Sequence, residues 1–401
     1  MNSAEQNKAK IILSKVPEAT IFFWIIKILC TTVGETFSDF INVNLGLGLT
    51  LTTIIMGAFF LIVLYLQFRA TKYVPGLYWL TVVLISVFGT LVTDNLTDGL
   101  GVPLVYSTVT FSVLLILTFL LWYLNEKTLS IHSVYTRKRE AFYWLTILFT
   151  FALGTAVGDL YSEELGLGYL LTGIIVISII IFIFLTWRFL KLDSVLAFWV
   201  AYIFTRPLGA SLGDYLSQPS QYGGLGFGTT MTSIIFLAAI LGVILFLTVT
   251  KIDIKIKNQA SETIQSNSKK NILAQLIALS IIFLDLGVGG YQWCSTKIEQ
   301  QSETTQPILQ GQLTDFITVE TDIQNDVDIN DFTSAKAKAD ILEHNWDTSS
   351  SGLKKIDKAA WTEIDGTIDS VLASVRSGNI DTTKCDSALT CSLKALNDAN
   401  N

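Results

Sequence analysis

Four aspartates recur at equivalent places in apolar segments, where a charged side chain is costly and usually functional. Each follows a tryptophan by fifteen residues and a glycine by five. Carboxylate oxygens suit hard cations such as Mg²⁺, Ca²⁺ or Mn²⁺, and a ring of acidic side chains can also select cations. The pattern therefore predicts a cation path, with a divalent metal ion or a proton as substrate. The aspartates are Asp39, Asp94, Asp159 and Asp214.

The same aspartates also have a structural interpretation. Fifteen residues of helix span about 22 Å. If the tryptophans mark the inner membrane interface, the aspartates lie in the outer part of the bilayer. Each carboxylate could then satisfy free backbone N–H groups at the bend that follows. On the sequence alone, ion site and helix cap stay open.

Three charged residues break the repeat pattern. Glu35 lies one helical turn before Asp39 and adds a fifth carboxylate to the candidate path. Arg206 precedes Pro207, and we expect it to pair with a carboxylate of a neighbouring helix, either as a lock between helices or as a gate. Lys27 lies near the inner end of its segment, where we expect it to snorkel to the interface.

These residues belong to a fourfold internal repeat. In every copy a tryptophan is followed ten residues later by a glycine, then by the aspartate and a Gly-Leu-Gly. We expect the glycines to allow close contact between helices. The tryptophans are Trp24, Trp79, Trp144 and Trp199, and the glycines are Gly34, Gly89, Gly154 and Gly209.

The spacing of apolar blocks predicts two membrane-spanning helices for each repeat. Half of the chain is hydrophobic (51%), and uncharged blocks approach the roughly 20 residues needed to cross a bilayer. The predicted fold is an all-α polytopic membrane protein with four parallel two-helix repeats, a ninth transmembrane helix and a small extracytoplasmic helical bundle. The predicted spans are 20–41, 50–68, 77–97, 105–124, 141–162, 169–187, 194–216, 229–250 and 272–293.

Lysine and arginine predict the orientation of these spans. They occupy the N-terminus and alternate loops, whereas the Gly-Leu-Gly loops carry neither. The positive-inside rule then gives a cytoplasmic N-terminus, a multi-pass inner-membrane location and an extracytoplasmic C-terminus. The predicted parts are 1–19 (cytoplasmic N-terminus), 20–250 (repeats), 251–271 (cytoplasmic linker), 272–293 (ninth span) and 294–401 (acidic domain).

The tryptophan and the Gly-x4-Asp…Gly-Leu-Gly spacing resemble those of a family of bacterial membrane-anchored proteins of unknown function. Members of that family carry four tandem copies of a two-helix repeat marked by a tryptophan. The resemblance covers about residues 16–250. It implies the same topology for this chain, and it implies no particular activity.

The C-terminal segment indicates a separate soluble domain. Residues 294–401 contain 18 acidic and 9 basic residues, a net charge of −9 that leaves +2 for residues 1–293. Helical patterns near 332–345, 356–376 and 382–396 favour an antiparallel bundle of three or four helices. Cys385 and Cys391 are candidates for a disulfide, although one straight helix would keep them apart. His344 with Glu343 and Asp347 is a weaker candidate metal site than an ordinary acidic surface.

Two functions remain open on the sequence. The first is a cation transporter or channel, with Asp39, Asp94, Asp159, Asp214, Glu35 and Arg206 along the path. The second is a membrane-anchored binding or sensing protein, in which the repeats are a scaffold and the C-terminal bundle recognises a ligand. Recognised catalytic motifs and cofactor-binding patterns are not evident, so we expect no enzyme. The expected partners are the lipid bilayer and a small cation, and not nucleic acid.

Overall fold

The computed structural model describes residues 12–41, 49–100, 102–164, 167–217, 224–253, 256–257, 309–377 and 380–400. Eight long apolar helices fill the first part of the chain, and their ends agree with the predicted spans to within four residues. All eight are long and apolar enough to cross a membrane, which makes this a membrane protein. They are α1 (Ile21–Asp39), α2 (Leu49–Arg69), α3 (Pro75–Asp94), α4 (Leu104–Glu126), α5 (Arg137–Asp159), α6 (Tyr169–Leu190), α7 (Ser194–Ser217) and α8 (Gly228–Thr250).

The first helices of the four repeats form a closed inner ring. Helix α1 packs against α3, α3 against α5, α5 against α7, and α7 against α1. In the apolar stretch of each of these four helices, 61 to 72% of the residues are buried. In the second helices of the repeats, the share is 17 to 44%. The inner ring is therefore the core of the membrane domain, and the apolar outer helices present their exposed faces to lipid.

Each outer helix packs against the first helix of the following repeat. Helix α2 lies on α3, α4 on α5, and α6 on α7, while α8 closes the circle on α1. This packing links every repeat to the next, and α8 joins the last repeat to the first. The predicted parallel arrangement of four two-helix repeats is confirmed, in a closed circle that the sequence did not specify.

The repeat glycines lie where neighbouring inner helices come closest. Gly34 faces Ser86 of α3, and Gly89 faces Phe151 of α5. A Cβ atom at either position would overlap the neighbouring helix. The other two glycines make the equivalent contacts, so all four interfaces of the ring share one geometry. The remaining pairs are Gly154 with Arg206 and Gly209 with Thr31.

The helix ends define two sides of the membrane domain. The inner helices begin where the outer helices end, and we call this side the basic end. Lys127, Lys191 and Lys251 follow α4, α6 and α8 there, each with a left-handed backbone. A cation beside a helix C-terminus is electrostatically favourable. We call the opposite side, where the inner helices end, the aspartate end.

The N-terminal segment crosses the basic end. Ile12–Leu13 pairs as a short antiparallel strand with Ile256–Lys257, which follows α8. Lys15 is buried and binds Glu140 of α5, with 2.5 Å between Nζ and Oε2. Gln67 donates to the other carboxylate oxygen of Glu140. The segment therefore ties the basic ends of the first, third and fourth repeats together.

The C-terminal domain is a four-helix antiparallel bundle of α9 (Thr314–Asp328), α10 (Phe332–Ile356), α11 (Lys358–Arg376) and α12 (Thr382–Asn400). Its core contains Trp346 and Trp361, whose rings stack 5.8 Å apart. Helix α9 is additional to the three helical patterns predicted, and α10 continues about three turns beyond its predicted end.

The predicted disulfide between Cys385 and Cys391 is wrong. Both thiols are free, with Cys385 buried and Cys391 exposed. They lie six residues apart on the continuous helix α12, which separates them by about 9 Å along the axis and turns them to different faces. The bundle is held together by side-chain packing and polar contacts among its described residues.

The bundle lies against the aspartate end of the membrane domain. Helix α10 contacts the turn Leu160–Glu164, and α11 contacts the turn Asn95–Gly99. Lys257 at the basic end and Leu309 in the bundle therefore lie on opposite sides of the membrane domain. The predicted ninth span, 272–293, is outside the described residues.

Candidate functional site

A charged pair lies at the centre of the inner ring. Arg206 of α7 donates to Glu35 of α1, and both side chains are buried. The same guanidinium group donates to the backbone oxygen of Thr31 and to the hydroxyl of Thr90 on α3. Because α3 stands diagonally opposite α7, Arg206 crosses the axis of the ring. The expectation that Arg206 pairs with a carboxylate of a neighbouring helix agrees with this geometry.

A second cation lies on the same axis. Lys27 of α1 is 1% exposed, and its ammonium lies 3.8 Å from the ring centre of Phe151 and 4.3 Å from that of Tyr202. Since α5 stands diagonally opposite α1, Lys27 also crosses the axis. The expectation that Lys27 snorkels to the interface is wrong, because aromatic rings of the opposite helix α5 and the neighbouring helix α7 enclose its side chain.

The two cations differ in how they are compensated. Arg206 has Glu35, but no carboxylate of the described residues lies within ion-pair distance of Lys27. Contacts with aromatic faces contribute about 1–2 kcal/mol, whereas burying an ammonium costs several kcal/mol. With all three groups ionised, Lys27, Arg206 and Glu35 place a net charge of +1 on the axis.

Several buried donors near these cations have no hydrogen-bond partner. They include Nε of Arg206, the hydroxyl of Tyr202 and the hydroxyl of Ser86. A buried donor left unsatisfied costs about 1–3 kcal/mol, so native proteins rarely leave several close together. The centre of the ring therefore combines excess positive charge with unused donors, a combination that suits an acceptor-rich group.

An aromatic layer closes the axis toward the basic end. In every repeat the residue before the tryptophan is aromatic, and its ring meets the indole edge-on with centroids 5.1 to 5.3 Å apart. Tyr78 and Tyr143 are joined across the α3–α5 interface by hydroxyl groups 2.5 Å apart. The same rings also meet across all four interfaces of the inner ring, with centroids 5.5 to 6.2 Å apart, and so pack the layer tightly. The four pairs are Phe23 with Trp24, Tyr78 with Trp79, Tyr143 with Trp144 and Phe198 with Trp199.

The repeat tryptophans lie inside the membrane domain. Trp79, Trp144 and Trp199 are almost fully buried, and Trp24 is half-buried. They lie close to the basic end in depth, but they pack inside the domain and do not form a lipid-facing belt. Their side chains pack together to form the aromatic layer.

The four aspartates stand at the aspartate end of the inner helices. Asp39, Asp94 and Asp159 are the last residues of α1, α3 and α5, while Asp214 lies within the last turn of α7. All four are engaged in side-chain or electrostatic interactions. Wide π-helical turns follow two of them, at Asn95–Gly99 and Leu160–Glu164, and such turns are uncommon and often lie at functional sites.

The aspartates do not assemble a metal site. Within the part of the chain that the structure describes, no group of three His, Cys, Asp or Glu side chains is placed to hold a metal ion. The side chains of His344 and Asp347 lie outside the described residues, and Glu343 binds Arg376. The residues that the structure brings to the axis are instead Glu35 and Arg206, from the predicted path, together with Lys27.

The repeat pattern contains a signal for the residues that sequence reasoning missed. Lys27 and Tyr202 both come three residues after the tryptophan of their repeat, and Phe151 and Arg206 both come seven after. Glu35 and Thr90 both come eleven after. Equivalent positions of parallel repeats lie at one depth. Comparing repeats by position would therefore have placed Tyr202 beside Lys27.

The comparison with known families finds a match at the four repeats. A family model described as a repeat of unknown function, DUF347, matches residues 22–73, 77–128, 142–192 and 197–253. The four matched segments correspond to the four pairs of helices. No curated protein and no solved structure matches the chain.

Proposed function

We propose that the membrane domain of this chain, which belongs to the family built from the DUF347 repeat, transports protons along the axis of the inner ring. Glu35 is the proton-binding group in this proposal, and Arg206 is its partner when the carboxylate is ionised. The observation that carries the proposal is the buried pair of these two side chains at the centre of the ring. Ionisable groups at such a depth in membrane proteins are typical of proton relays.

The charge on the axis favours a proton over a divalent metal ion. A metal ion entering the centre would meet Lys27 and Arg206, and repulsion between charges is strong where water is excluded. A proton adds one positive charge where a divalent metal ion adds two, and it binds covalently to the Glu35 carboxylate that is already there. Of the two predicted substrates, a divalent metal ion and a proton, we therefore propose the proton.

Opening of the proton path requires the ion pair between Glu35 and Arg206 to separate. Protonated Glu35 no longer attracts Arg206 by charge, which frees the guanidinium to move relative to α1. Two further barriers lie toward the basic end: the aromatic layer and the segment held by Lys15 and Glu140. The membrane domain is closed at its basic end. In this proposal that closed form is one of the states of a gated or alternating proton path.

Proton flux into liposomes tests this function. Purified protein is reconstituted with potassium and a pH-sensitive dye inside, and valinomycin imposes an inward driving force. We expect wild-type protein to acidify the lumen, and Glu35→Gln to reduce the initial rate at least tenfold. Wild-type flux no faster than that of empty liposomes, or full activity of Glu35→Gln, would refute the proposal.

Two further variants separate loss of function from loss of structure. Glu126→Gln removes a carboxylate at the end of α4 that pairs with Arg139 away from the axis, and it should retain wild-type flux. Glu35→Gln combined with Arg206→Met avoids an unpaired buried cation and should fold well while remaining inactive. Flux in the double variant would show that the pair is not on the proton path.

The alternative function, ligand recognition by the C-terminal bundle, has one supporting observation. The bundle lies against the turns that end α3 and α5, so a ligand bound to it could act on the aspartate end. Full-length protein without any proton flux would leave this scaffold-and-sensor function as the better explanation.

A further inference from the structure

The axis contains a cation whose countercharge is not supplied by the described residues. Lys27 is enclosed between α1, α5 and α7, and its ammonium contacts the ring faces of Phe151 and Tyr202. The one carboxylate placed on the axis, Glu35, is held by Arg206 through a direct ion pair. A small anion beside Lys27 would balance the charge that the protein leaves uncompensated.

Two side chains of α7 bring unused donors to the same part of the axis. The hydroxyl of Tyr202 belongs to the ring that Lys27 contacts, and Nε of Arg206 lies one helical turn farther along α7. Both side chains are 1% exposed, and neither atom has a hydrogen-bond partner. An ammonium, a phenol and a guanidinium N–H are all donors suited to an anion, and the nearby Glu35 carboxylate is already neutralised by its ion pair with Arg206.

We propose that Lys27, Tyr202 and Arg206 form a binding site for a small monovalent anion. With Lys27, Arg206 and Glu35 all ionised the net charge is +1, which one monovalent anion balances, and the aromatic rings packed around Lys27 favour an anion of a few atoms. This inference rests on the proposed function in one respect: the bound anion would keep Lys27 compensated beside the proposed proton path. Anion binding itself is measurable without any transport.

Thermal stability of the purified protein tests the site. The full chain in detergent is titrated with sodium nitrate at constant ionic strength, with sodium gluconate as the bulky reference salt. A ligand that binds only the folded state raises the melting temperature saturably. We expect a saturable nitrate effect for wild type and at least a tenfold weaker apparent affinity for Lys27→Met.

Matched variants make the result specific. Lys15→Met with Glu140→Gln also removes a buried lysine charge, but from a compensated pair at the basic end, and it should bind nitrate as wild type does. Tyr202→Phe keeps the ring that covers Lys27 and removes only the hydroxyl, so it should fold and bind nitrate about threefold to tenfold more weakly. If Lys27→Met fails to fold, the nitrate affinity of Tyr202→Phe tests the anion site instead.

The outcomes separate the anion site from proton transport. No saturable difference between nitrate and gluconate in wild type, or equal affinity in Lys27→Met or Tyr202→Phe, would overturn the site. Saturable nitrate binding that these variants weaken would support it even if liposomes showed no proton flux, in which case the transport function alone fails. Proton flux without nitrate binding would reject the anion site alone.

Discussion

Gly209 of α7 lies directly against Thr31 of α1, at the interface where the last repeat meets the first. Thr31 also donates to the backbone oxygen of Thr205, so the two helices are joined there by a hydrogen bond of 3.1 Å. This contact closes four sequential repeats into a ring with an enclosed axis. Glu35, Arg206 and Lys27 are buried together because that ring is closed.

Replacing Gly209 should weaken the closure. In Gly209→Ala the new methyl group would lie 2.9 Å from the carbonyl carbon of Thr31, so a helix must shift. Overpacking of this kind costs about 1–3 kcal/mol. Gly242→Ala is the matched control, because a methyl group there meets nothing within 4 Å and improves helix propensity. The free energy of unfolding in detergent should fall for Gly209→Ala and not for Gly242→Ala. Equal stability of the two variants would contradict the close approach of Gly209 to Thr31.

The sequence predicted the spans well because each depends on a local property. Chain segments such as Tyr169–Leu190 are long, apolar and uncharged, and this is sufficient for a spanning helix. The order of packing was not predictable in the same way. The apolar face of α2 fits α1 or α3 equally by composition, and only three-dimensional complementarity selects α3.

Errors at single residues have similar causes. Lys27 was expected to reach the interface because a long side chain near a helix end usually does so. Its actual position depends on rings from α5 and α7, residues far away in the chain. Helix α9 was missed although its buried residues have helical spacing. These residues are Phe316, Glu320, Ile323, Asp326 and Val327.

The ion pair at the basic end should stabilise the domain. Lys15→Met leaves Glu140 buried without its cation, and we expect the free energy of unfolding to fall by about 3–5 kcal/mol. Adding Glu140→Gln removes the orphaned charge and should recover more than half of this loss. Denaturation in mixed detergent micelles measures both values. A single variant as stable as wild type would show that Lys15 does not hold the N-terminal segment in place.

The C-terminal bundle should lose stability between acidic and neutral pH. Burial raises the pKa of Glu320 to about 7 from an ordinary 4.5, and a hydrogen bond from Ser392 opposes the rise. The folded state therefore binds more protons than the unfolded state between these values. The contribution of Glu320 to stability is therefore largest below pH 4.5. It falls by about 3 kcal/mol in total as the pH rises to 7, and it changes little above that.

Hydrogen exchange of the bundle in full-length protein checks this dependence. The opening free energy of residues 309–400, corrected for intrinsic exchange, should fall from pH 5.5 to pH 8 in wild type. Glu320→Gln should remove most of the fall, whereas Glu363→Gln on an exposed face of α11 should keep it. A slope unchanged by Glu320→Gln would show that another group is responsible.

The two bundle cysteines should react as free thiols of different accessibility. In protein carrying Cys30→Ser and Cys294→Ser, a maleimide should label Cys391 rapidly and Cys385 only after denaturation. Burial raises the pKa of the Cys385 thiol, which lowers its thiolate fraction further. Intact mass before and after reduction should agree. A gain of two hydrogens on reduction would indicate a disulfide.

Water access to Thr90 is the most direct test of the central claim, that the axis of the ring is a transport path. Cysteine is placed at Thr90, which binds Arg206 on the axis, or at Phe59, which is 58% exposed on the outer face of α2, in protein without native cysteines. A charged methanethiosulfonate reagent reacts only where water reaches. The account predicts that Thr90→Cys reacts at least a hundredfold faster than Phe59→Cys in membranes. Equal, negligible rates at both positions would show a permanently dry axis and contradict it.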